Sequence, residues 1–191
     1  MAPAQRIQNI CLKPKQEWDA IAGESTSTPD LLKNYALPLA AIGAVAGFIG
    51  NTFVGRNAPI GSGLVGAILS LAISLGAVYA IARIIDAFAP RFGGQKNAAQ
   101  ALKVAVYSAT PLWVAGVLAI VPTLGRLVWL AFFYGLYVLY LGLQRLMKSP
   151  PEKVLGYTAA IGGCWLAIIV VEVSVIGSFL GEGTVALSGI R

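Results

Sequence analysis

Hydrophobic residues in this chain come in long blocks that are almost free of charge and are separated by short polar connections. An α-helix of roughly 20 apolar residues crosses the hydrocarbon core of a bilayer, and each block is close to that length. Within a block, the apolar residues lack the one-faced spacing of a helix on a soluble protein. The pattern predicts an all-α integral membrane protein with a bundle of five transmembrane helices. The predicted spans are about 35–54, 63–85, 104–122, 127–146 and 156–180.

The segment before the first block, residues 1–34, is mostly polar. Within it, Lys15–Gly23 is compatible with a helix that carries Trp18 on an apolar face and charged residues elsewhere. Because tryptophan and lysine favour the membrane–water interface, we expect a short amphipathic helix in the headgroup region. A loose, solvated tail is the alternative. The expected interfacial anchors are Trp18, Lys13 and Lys15.

The high hydrophobic content and low charge of the chain argue against a soluble domain. Of the 191 residues, 57% are hydrophobic and 12% are charged, which is too little charge for the surface of a soluble protein. The net charge of +6 would suggest nucleic acid as a partner of a soluble protein. Here the basic residues flank apolar blocks, where anionic lipid explains them better. We therefore expect the lipid bilayer, and not nucleic acid, as a partner.

Lysines and arginines are distributed unequally between the two sides that five spans define. Eleven lie on the N-terminal side and three on the opposite side. Because basic residues concentrate in cytoplasmic loops, the pattern predicts a cytoplasmic N-terminal segment (1–34), a five-span domain (35–191) and a C-terminus outside. The richer side has Arg6, Lys13, Lys15, Lys33, Arg83, Arg91, Lys96, Lys103, Arg145, Lys148 and Lys153, and the other has Arg56, Arg126 and Arg191.

The third block, Lys103–Pro122, is the element around which we expect the bundle to be arranged. Its first turns carry Tyr107, Ser108 and Thr110, with Pro111 directly behind. A proline inside a helix removes one backbone donor and favours a kink, so neighbouring groups must satisfy the freed carbonyl. This polar start therefore has to face protein or water instead of lipid.

Glu172, in the fifth block, is the candidate for chemistry within the membrane. An ionised carboxylate at that depth is costly, so we expect it to be neutral, paired or in contact with water. Arg126, at the outer start of the fourth span, could reach it by curling inwards. A structural ion pair or a protonated carboxyl is one interpretation, and a proton or cation site is the other.

Two tyrosines lie deep in the fourth block, and each hydroxyl needs a hydrogen-bond partner. They either pack as structural residues or line a ligand cleft. The candidate intramembrane polar site therefore comprises Glu172, Tyr107, Ser108, Thr110, Tyr134 and Tyr137. Small residues on three other spans predict close helix contacts. They include Gly43, Gly47, Gly50, Gly63, Gly66, Gly162 and Gly163.

The residue types needed for common catalytic sites are missing. The chain has no histidine, which excludes histidine-based triads, histidine metal sites and imidazole proton relays. It has no glycine-rich phosphate loop and no Cys-x-x-Cys motif, and the placement of Cys11 and Cys164 does not suggest a disulfide. We expect a protein that is not an enzyme and that uses neither a metal nor a cofactor.

Motifs along most of the chain occur in the order and spacing of a known family. The first group is Pro14, Trp18, Ile21, Glu24, Tyr35 and Pro38-Leu39. The second is Tyr107-Ser-Ala-Thr-Pro111, Ile120-Val-Pro122, Tyr134-Gly-Leu-Tyr137, Tyr140-Leu-Gly-Leu, Lys148 through Pro150, Glu152, Lys153, Gly156 and Tyr157. With these motifs the chain resembles bacterial members of the Yip (Ypt-interacting protein) domain family.

The resemblance implies a five-span helical protein of the bacterial inner (cytoplasmic) membrane, with its N-terminus in the cytoplasm and its C-terminus in the periplasm. Eukaryotic relatives act in ER–Golgi traffic, bind prenylated small GTPases and carry an Asp-Leu-x-Gly-Pro motif. The nearest stretch here, Tyr35–Leu39, lacks the acid. The resemblance therefore does not support small-GTPase binding, and it supplies no catalytic residue.

Two classes of function stay open at this stage. The leading hypothesis is a non-enzymatic multi-pass membrane protein that organises membrane or recruits partners at its cytoplasmic face. Its protein partners would be other membrane proteins or further copies of this chain. The competing hypothesis is a small ion or solute transporter that uses Glu172 and the Tyr107–Thr110 patch. An enzyme acting within the bilayer comes third, because no base or metal site is evident.

Overall fold

The computed structural model describes residues 3–55 and 58–179, except for the side chains of Pro122, Gly125, Arg126 and Phe179. No strand occurs in these ranges, which confirms the predicted all-helical class. The helices are α1 (Pro3–Leu12), α2 (Pro14–Gly23), α3 (Thr28–Val54), α4 (Ile60–Phe88), α5 (Ala98–Ala115), α6 (Val128–Leu146) and α7 (Pro151–Phe179). Short 3₁₀ turns cover Ala89–Phe92, Gly116–Ile120 and Pro122–Leu127.

Four helical segments of the described chain are long and apolar enough to cross a membrane. They are Thr28–Val54, Ile60–Phe92, Ala98–Ile120 and Pro151–Ser178. The predicted fourth span, 127–146, corresponds to α6, which has 19 residues and is not one of these four segments. The count of five spans therefore stays a prediction. The end of the predicted fifth span, at Leu180, lies outside the described residues.

Helix α3 begins seven residues before the predicted span, at Thr28 and not at Tyr35. The Ser27 hydroxyl accepts a hydrogen bond from the Asp30 N–H (3.2 Å) and so caps the helix N-terminus. The helix continues into the apolar block through a π-helical turn at Leu32–Ala36. This wider turn precedes Pro38, which cannot donate a helical hydrogen bond.

Helix α5 is the centre of the bundle, as the sequence predicted. It contacts α1, α3, α4 and α6, and a larger share of it is buried than of the other spanning segments. All residues from Ala101 to Pro111 are buried, whichever face of the helix they occupy. A helix that is buried all round needs no polar face, which explains the lack of one-sided spacing in this block.

Helices α1 and α2, here called the cap, fold back onto one end of the bundle. Helix α1 contacts α5, and α2 contacts α6. The apolar side chains of Ile10, Trp18 and Ile21 are fully buried in the protein core, while Lys13 and Lys15 are exposed. The end of the bundle that carries the cap is called the capped end below.

Large apolar side chains cover the outside of the bundle. On a soluble protein, apolar patches of this extent are rare, whereas in a bilayer they contact acyl chains. The exposed residues include Val45 on α3, Leu64 and Ile68 on α4, Leu130 and Phe133 on α6, and Val170, Val171 and Val173 on α7. Their distribution agrees with a protein whose surrounding solvent is lipid.

Several predicted small residues lie at close helix contacts. A methyl group added at Gly116 would come within 2.9 Å of the Gly43 Cα, and one added at Gly50 would collide with the Ala119 carbonyl. Gly47 and Gly163, in contrast, have nothing within 4 Å of such a methyl group. The small-residue pattern thus included contact glycines such as Gly43 and Gly50, but it did not separate them from glycines with open space around them.

Candidate functional site

The cap is held to the bundle mainly by Trp18. Its side chain is 1% exposed, and its indole N–H donates to the backbone carbonyl of Val138 on α6 (3.0 Å). The ring lies edge-on to Tyr107, with centroids 6.1 Å apart. It also fills the space over Gly142, where a Cβ atom would lie 2.6 Å from the tryptophan ring. A larger residue at Gly142 would therefore displace Trp18.

The burial of Trp18 differs from the sequence-based expectation of an interfacial anchor. An amphipathic pattern shows that one face is apolar but not whether lipid or protein covers that face. Here the bundle covers it, so the ring has no surface left for headgroups. Lys13 and Lys15 are exposed, and their role as anchors stays a prediction.

Arg6 is the centre of a buried ion-pair network in the cap. The residue is 5% exposed, and its guanidinium pairs with both Glu17 and Glu24 and lies 5.7 Å from the centroid of the Tyr107 ring. Glu17 also accepts a hydrogen bond from the Asn9 side chain (2.8 Å). A buried charge is tolerated only when it is paired and hydrogen-bonded, so these groups depend on one another.

Glu24 links the cap to α5. The hydrogen bond from Arg6 lowers the pKa of its carboxyl; burial opposes this shift, and the charges of Arg6 and Lys103 reinforce it. The Lys103 ammonium, buried at the start of α5, donates to the backbone carbonyl of Glu24. This hydrogen bond between the cap and the bundle is therefore charge-assisted.

The Tyr107–Thr110 patch faces protein, which is one of the two environments, protein or water, that its sequence allowed. Tyr107, Ser108 and Thr110 are buried, and the hydroxyls of Thr110 and Tyr35 lie 2.9 Å apart in a hydrogen bond. Helix α5 continues past Pro111 to Ala115. The kink at Pro111 stays a prediction.

The two deep tyrosines of α6 do not join Glu172. The Tyr134 hydroxyl donates to the backbone carbonyl of Cys11 in the cap (3.0 Å), and the Tyr137 side chain is 46% exposed. The polar residues predicted as one site thus separate, and the tyrosines, Ser108 and Thr110 belong to the capped end or the core beside it.

Burial raises the pKa of the Cys11 thiol, so the reactive thiolate form is less populated.

Glu172 lines a cavity of about 370 Å³ in the other half of the bundle. Its carboxylate accepts a hydrogen bond from the Ser70 hydroxyl on α4 (3.0 Å). One turn further along α4, the Ser74 hydroxyl accepts a hydrogen bond from the indole N–H of Trp113 (2.9 Å). This space is called the Glu172 cavity below. Residues of α3, α4, α5, α6 and α7 all line it.

Sequence reasoning did not assign Ser70, Ser74 or Trp113 to this site. The i, i+4 spacing of the two serines was visible, but the pattern was equally consistent with close helix packing. The Arg126 side chain, which we expected to reach Glu172, lies outside the described part of the structure.

Nothing in the described ranges resembles a metal site. Within residues 3–55 and 58–179, no group of three or more His, Cys, Asp or Glu side chains lies close enough to hold an ion. Cys11 and Cys164 are free thiols.

The capped end presents a basic surface. Exposed lysines and arginines occur on the cap, near the start of α3, after α4, and around the connection between α6 and α7. They include Lys13, Lys15, Lys33, Arg91, Lys96, Arg145, Lys148 and Lys153. Arg145 pairs with Asp19 of the cap (2.7 Å), and both side chains are more than half exposed, so this pair adds little stability.

Comparison with known proteins identifies the family. Residues 9–172 match the model of the Yip1 domain. The chain is 31% identical over 178 residues to the inner membrane protein YohC of Escherichia coli strain K12, a match that covers 84% of this chain and 87% of YohC. The YohC of an E. coli O6:H1 strain matches equally well. No solved structure matches this chain. The family predicted from the motifs is thus confirmed, and this chain is a membrane protein that belongs to the Yip1 domain family.

Proposed function

We propose that this protein is a non-enzymatic inner-membrane protein that organises membrane or recruits partners through its capped end, which lies in the cytoplasm. The observation that carries the proposal is the docked cap. Its apolar face packs against α5 and α6, and its polar face, with Lys13 and Lys15, is exposed. A rigid, charged surface of this kind suits recognition better than a mobile tail does, because less conformational entropy is lost on binding.

The proposal includes five spans. The Gln95 N–H, in the loop before α5, donates to the Met147 carbonyl in the loop after α6 (2.8 Å). Because the two loops touch, a chain that leaves the capped end through α5 has to return to it through α6. Helix α6 would then cross the same layer, although it is not one of the four segments identified above as long and apolar enough to do so. Five crossings put the C-terminus in the periplasm when the N-terminus is cytoplasmic.

The chemistry of the proposed surface indicates its targets. Exposed basic side chains attract the anionic headgroups of the cytoplasmic leaflet, and each one near the membrane contributes about 1 kcal/mol. The same charges attract acidic segments of other membrane proteins. Lipid organisation and partner recruitment are two uses of one surface.

Site-specific photocrosslinking in native membranes tests the proposal. We expect a crosslinker at Lys15 or Lys96 to give discrete adducts with lipid or protein. A matched crosslinker at Val65, which is exposed on α4 away from the cap, should not give the same adducts. Replacing Arg91 and Lys148 by glutamate should reduce the adducts at least tenfold, because the attraction becomes a repulsion. An adduct with twice the mass of the chain would identify a second copy as the partner.

Two results would contradict the recruitment role. One is the absence of specific adducts at Lys15 and Lys96. The other is a set of adducts that the charge reversals leave unchanged.

Transport of a small cationic solute is the second candidate function, and the carboxylate in the Glu172 cavity favours it. Against it, the stretch of α5 that leads from the cavity to the cap is fully buried in packed protein. A transporter would therefore need a large rearrangement of the capped end. The test is a measurement of ion or amine flux into proteoliposomes. Flux that Glu172→Gln abolishes would favour transport over the first candidate function. No flux with the wild-type protein would contradict transport.

A further inference from the structure

The Glu172 cavity combines an acid with walls that are otherwise apolar or weakly polar. Its polar groups are the Glu172 carboxylate, the Ser70 and Ser74 hydroxyls and the Trp113 indole, which together occupy three different helices. A volume of about 370 Å³ is within the range of roughly 300–1,000 Å³ that is usual for small-molecule sites. The cavity is therefore large enough for an organic ligand, not just for an ion or a water molecule.

We propose that the Glu172 cavity binds a small amphipathic ammonium compound, with its charged head at Glu172 and its apolar tail among the aromatic side chains of α6. This site is independent of the recruitment role proposed for the capped end.

The head group follows from the hydrogen bonds of the cavity. Within the described part of the chain, Ser70 is the donor to Glu172, and it reaches one carboxylate oxygen. A carboxylate has about four acceptor positions, so the described residues use only a small part of its capacity. The Ser74 oxygen accepts one hydrogen bond from Trp113 and has a second lone pair. Apart from the Ser74 O–H, the unused positions of these groups are acceptors, and an ammonium group supplies donors and positive charge.

Electrostatics favour the same head group. An ionised carboxylate inside a bilayer is costly when it stands alone, and a cation beside it offsets much of that cost. A neutral alcohol of the same shape could occupy the cavity but could not offset it. Binding should therefore discriminate between an amine and the corresponding alcohol.

The apolar tail and the entry route follow from the rim of the cavity. Trp129 on α6 and Val173 on α7 line the cavity and are also 46% and 65% exposed on the outside of the bundle. Phe132, buried beneath Trp129, continues the apolar wall inwards, with the two ring centroids 5.9 Å apart. A ligand can reach this rim from the acyl-chain layer. An amphipathic molecule that already partitions into the bilayer is the kind of compound that would arrive there.

Binding of 4-phenylbutylammonium to the full chain in nanodiscs of zwitterionic lipid tests the proposal, with 4-phenylbutanol as the neutral match. Isothermal titration calorimetry against empty nanodiscs separates binding by the protein from partition into lipid. We expect saturable binding of the amine with a stoichiometry near one, and at least tenfold weaker binding of the alcohol. Glu172→Gln preserves the shape and an acceptor for Ser70, and it should weaken amine binding at least tenfold without affecting the alcohol.

Glu152→Gln is the matched control, because Glu152 is exposed in the first turn of the same helix, far along it from the cavity. It should leave amine binding unchanged. Ala44→Leu, which fills the cavity from α3, should abolish binding of both compounds while the carboxylate remains.

Three outcomes would overturn the proposal. They are amine uptake that scales with lipid and does not saturate, equal affinity of the wild-type protein and Glu172→Gln, and unchanged binding in Ala44→Leu. A thermal melt of each variant shows whether it is folded. If Glu172→Gln does not fold, the amine-to-alcohol ratio in the wild-type protein and the Ala44→Leu variant still decide the question.

Discussion

At the capped end, α5 is enclosed by protein: Val104, Ala105 and Val106 have no exposed surface, and Trp18 of the cap closes the space above Gly142. At the other end the same helix tightens into the 3₁₀ turn Gly116–Ile120, which has no buried residue, and the Glu172 cavity opens beside it. Both regions are built from apolar helices, but their packing is different.

The difference follows from the solvent that each region would otherwise contact. The cap lies outside the predicted spans, so undocking would expose Trp18 and Ile21 to water and the hydrophobic effect drives them into the bundle. Within the bilayer, lipid tails are as apolar as the side chains, and only close contact and hydrogen bonds favour association. A cavity between helices is therefore less destabilising within the bilayer, and a functional cavity can persist there.

Trp18→Ala should have the largest effect, because it removes the main apolar contact between the cap and α6. Truncation of a buried tryptophan costs about 3–5 kcal/mol. We expect faster amide hydrogen exchange throughout α1 and α2, with little change in α7. Leu12→Ala is the control, since Leu12 is 68% exposed. Unchanged exchange in the cap of Trp18→Ala would show that docking does not depend on this side chain.

Arg6→Met should destabilise the cap by about 3 kcal/mol, because Glu17, which is 4% exposed, loses the cation that pairs with it. The double variant Arg6→Met/Glu17→Met should recover most of this loss, since the carboxylate that is then left without Arg6, Glu24, is 37% exposed and can be solvated. Hydrogen exchange of the cap measures both effects. If the double variant were as unstable as the single one, the ion pair would not be the cause.

Gly50→Ala tests whether the other half of the bundle also has a tight contact. Its new methyl group would collide with the Ala119 carbonyl, and we expect a loss of about 1–3 kcal/mol, seen as a lower melting temperature of the whole bundle. Gly47→Ala, one turn away with open space around it, should be neutral or slightly stabilising. Equal melting temperatures for the two variants would contradict the close approach.

Acidification should loosen the cap and leave the Glu172 half folded. The pKa of Glu24 is lower in the folded protein than its ordinary value of 4.5. Its contribution to stability is therefore fully present above about pH 4.5 and is lost as the pH falls through the lowered pKa. Because the side chain is 37% exposed, solvent screening limits the effect to about 1 kcal/mol or less. Hydrogen exchange of α1 between pH 6 and pH 3, corrected for the intrinsic rate, should show this loss, and Glu24→Gln should remove it.

The sequence was most informative where lipid dictates the pattern. Long apolar blocks predicted the helices. The polar start of the third block required that Tyr107, Ser108 and Thr110 face protein or water instead of lipid, and they are buried in protein. It was least informative about which apolar face meets which neighbour. A tryptophan fits the same amphipathic pattern whether it packs against lipid or against α6. The position of the Trp18 side chain therefore depended on the space over Gly142, which lies far along the chain.

The cavity was invisible in the sequence for a related reason. Glu172 was conspicuous as an acid in an apolar block, but Ser70, Ser74 and Trp113 are ordinary residues of membrane helices. The hydrogen bonds from Ser70 to Glu172 and from Trp113 to Ser74 form only when three helices are brought together. Local pattern cannot supply that information.

The hydrogen bond from Trp18 to Val138 joins residues that are 120 positions apart. During synthesis, the cap leaves the ribosome before α6, which carries its docking site, has been made. The cap therefore has to wait, with its tryptophan unburied, until α6 is inserted. Closure of the cap is a late step in biogenesis, and a nascent chain truncated before Val138 would display Trp18 to chaperones and proteases.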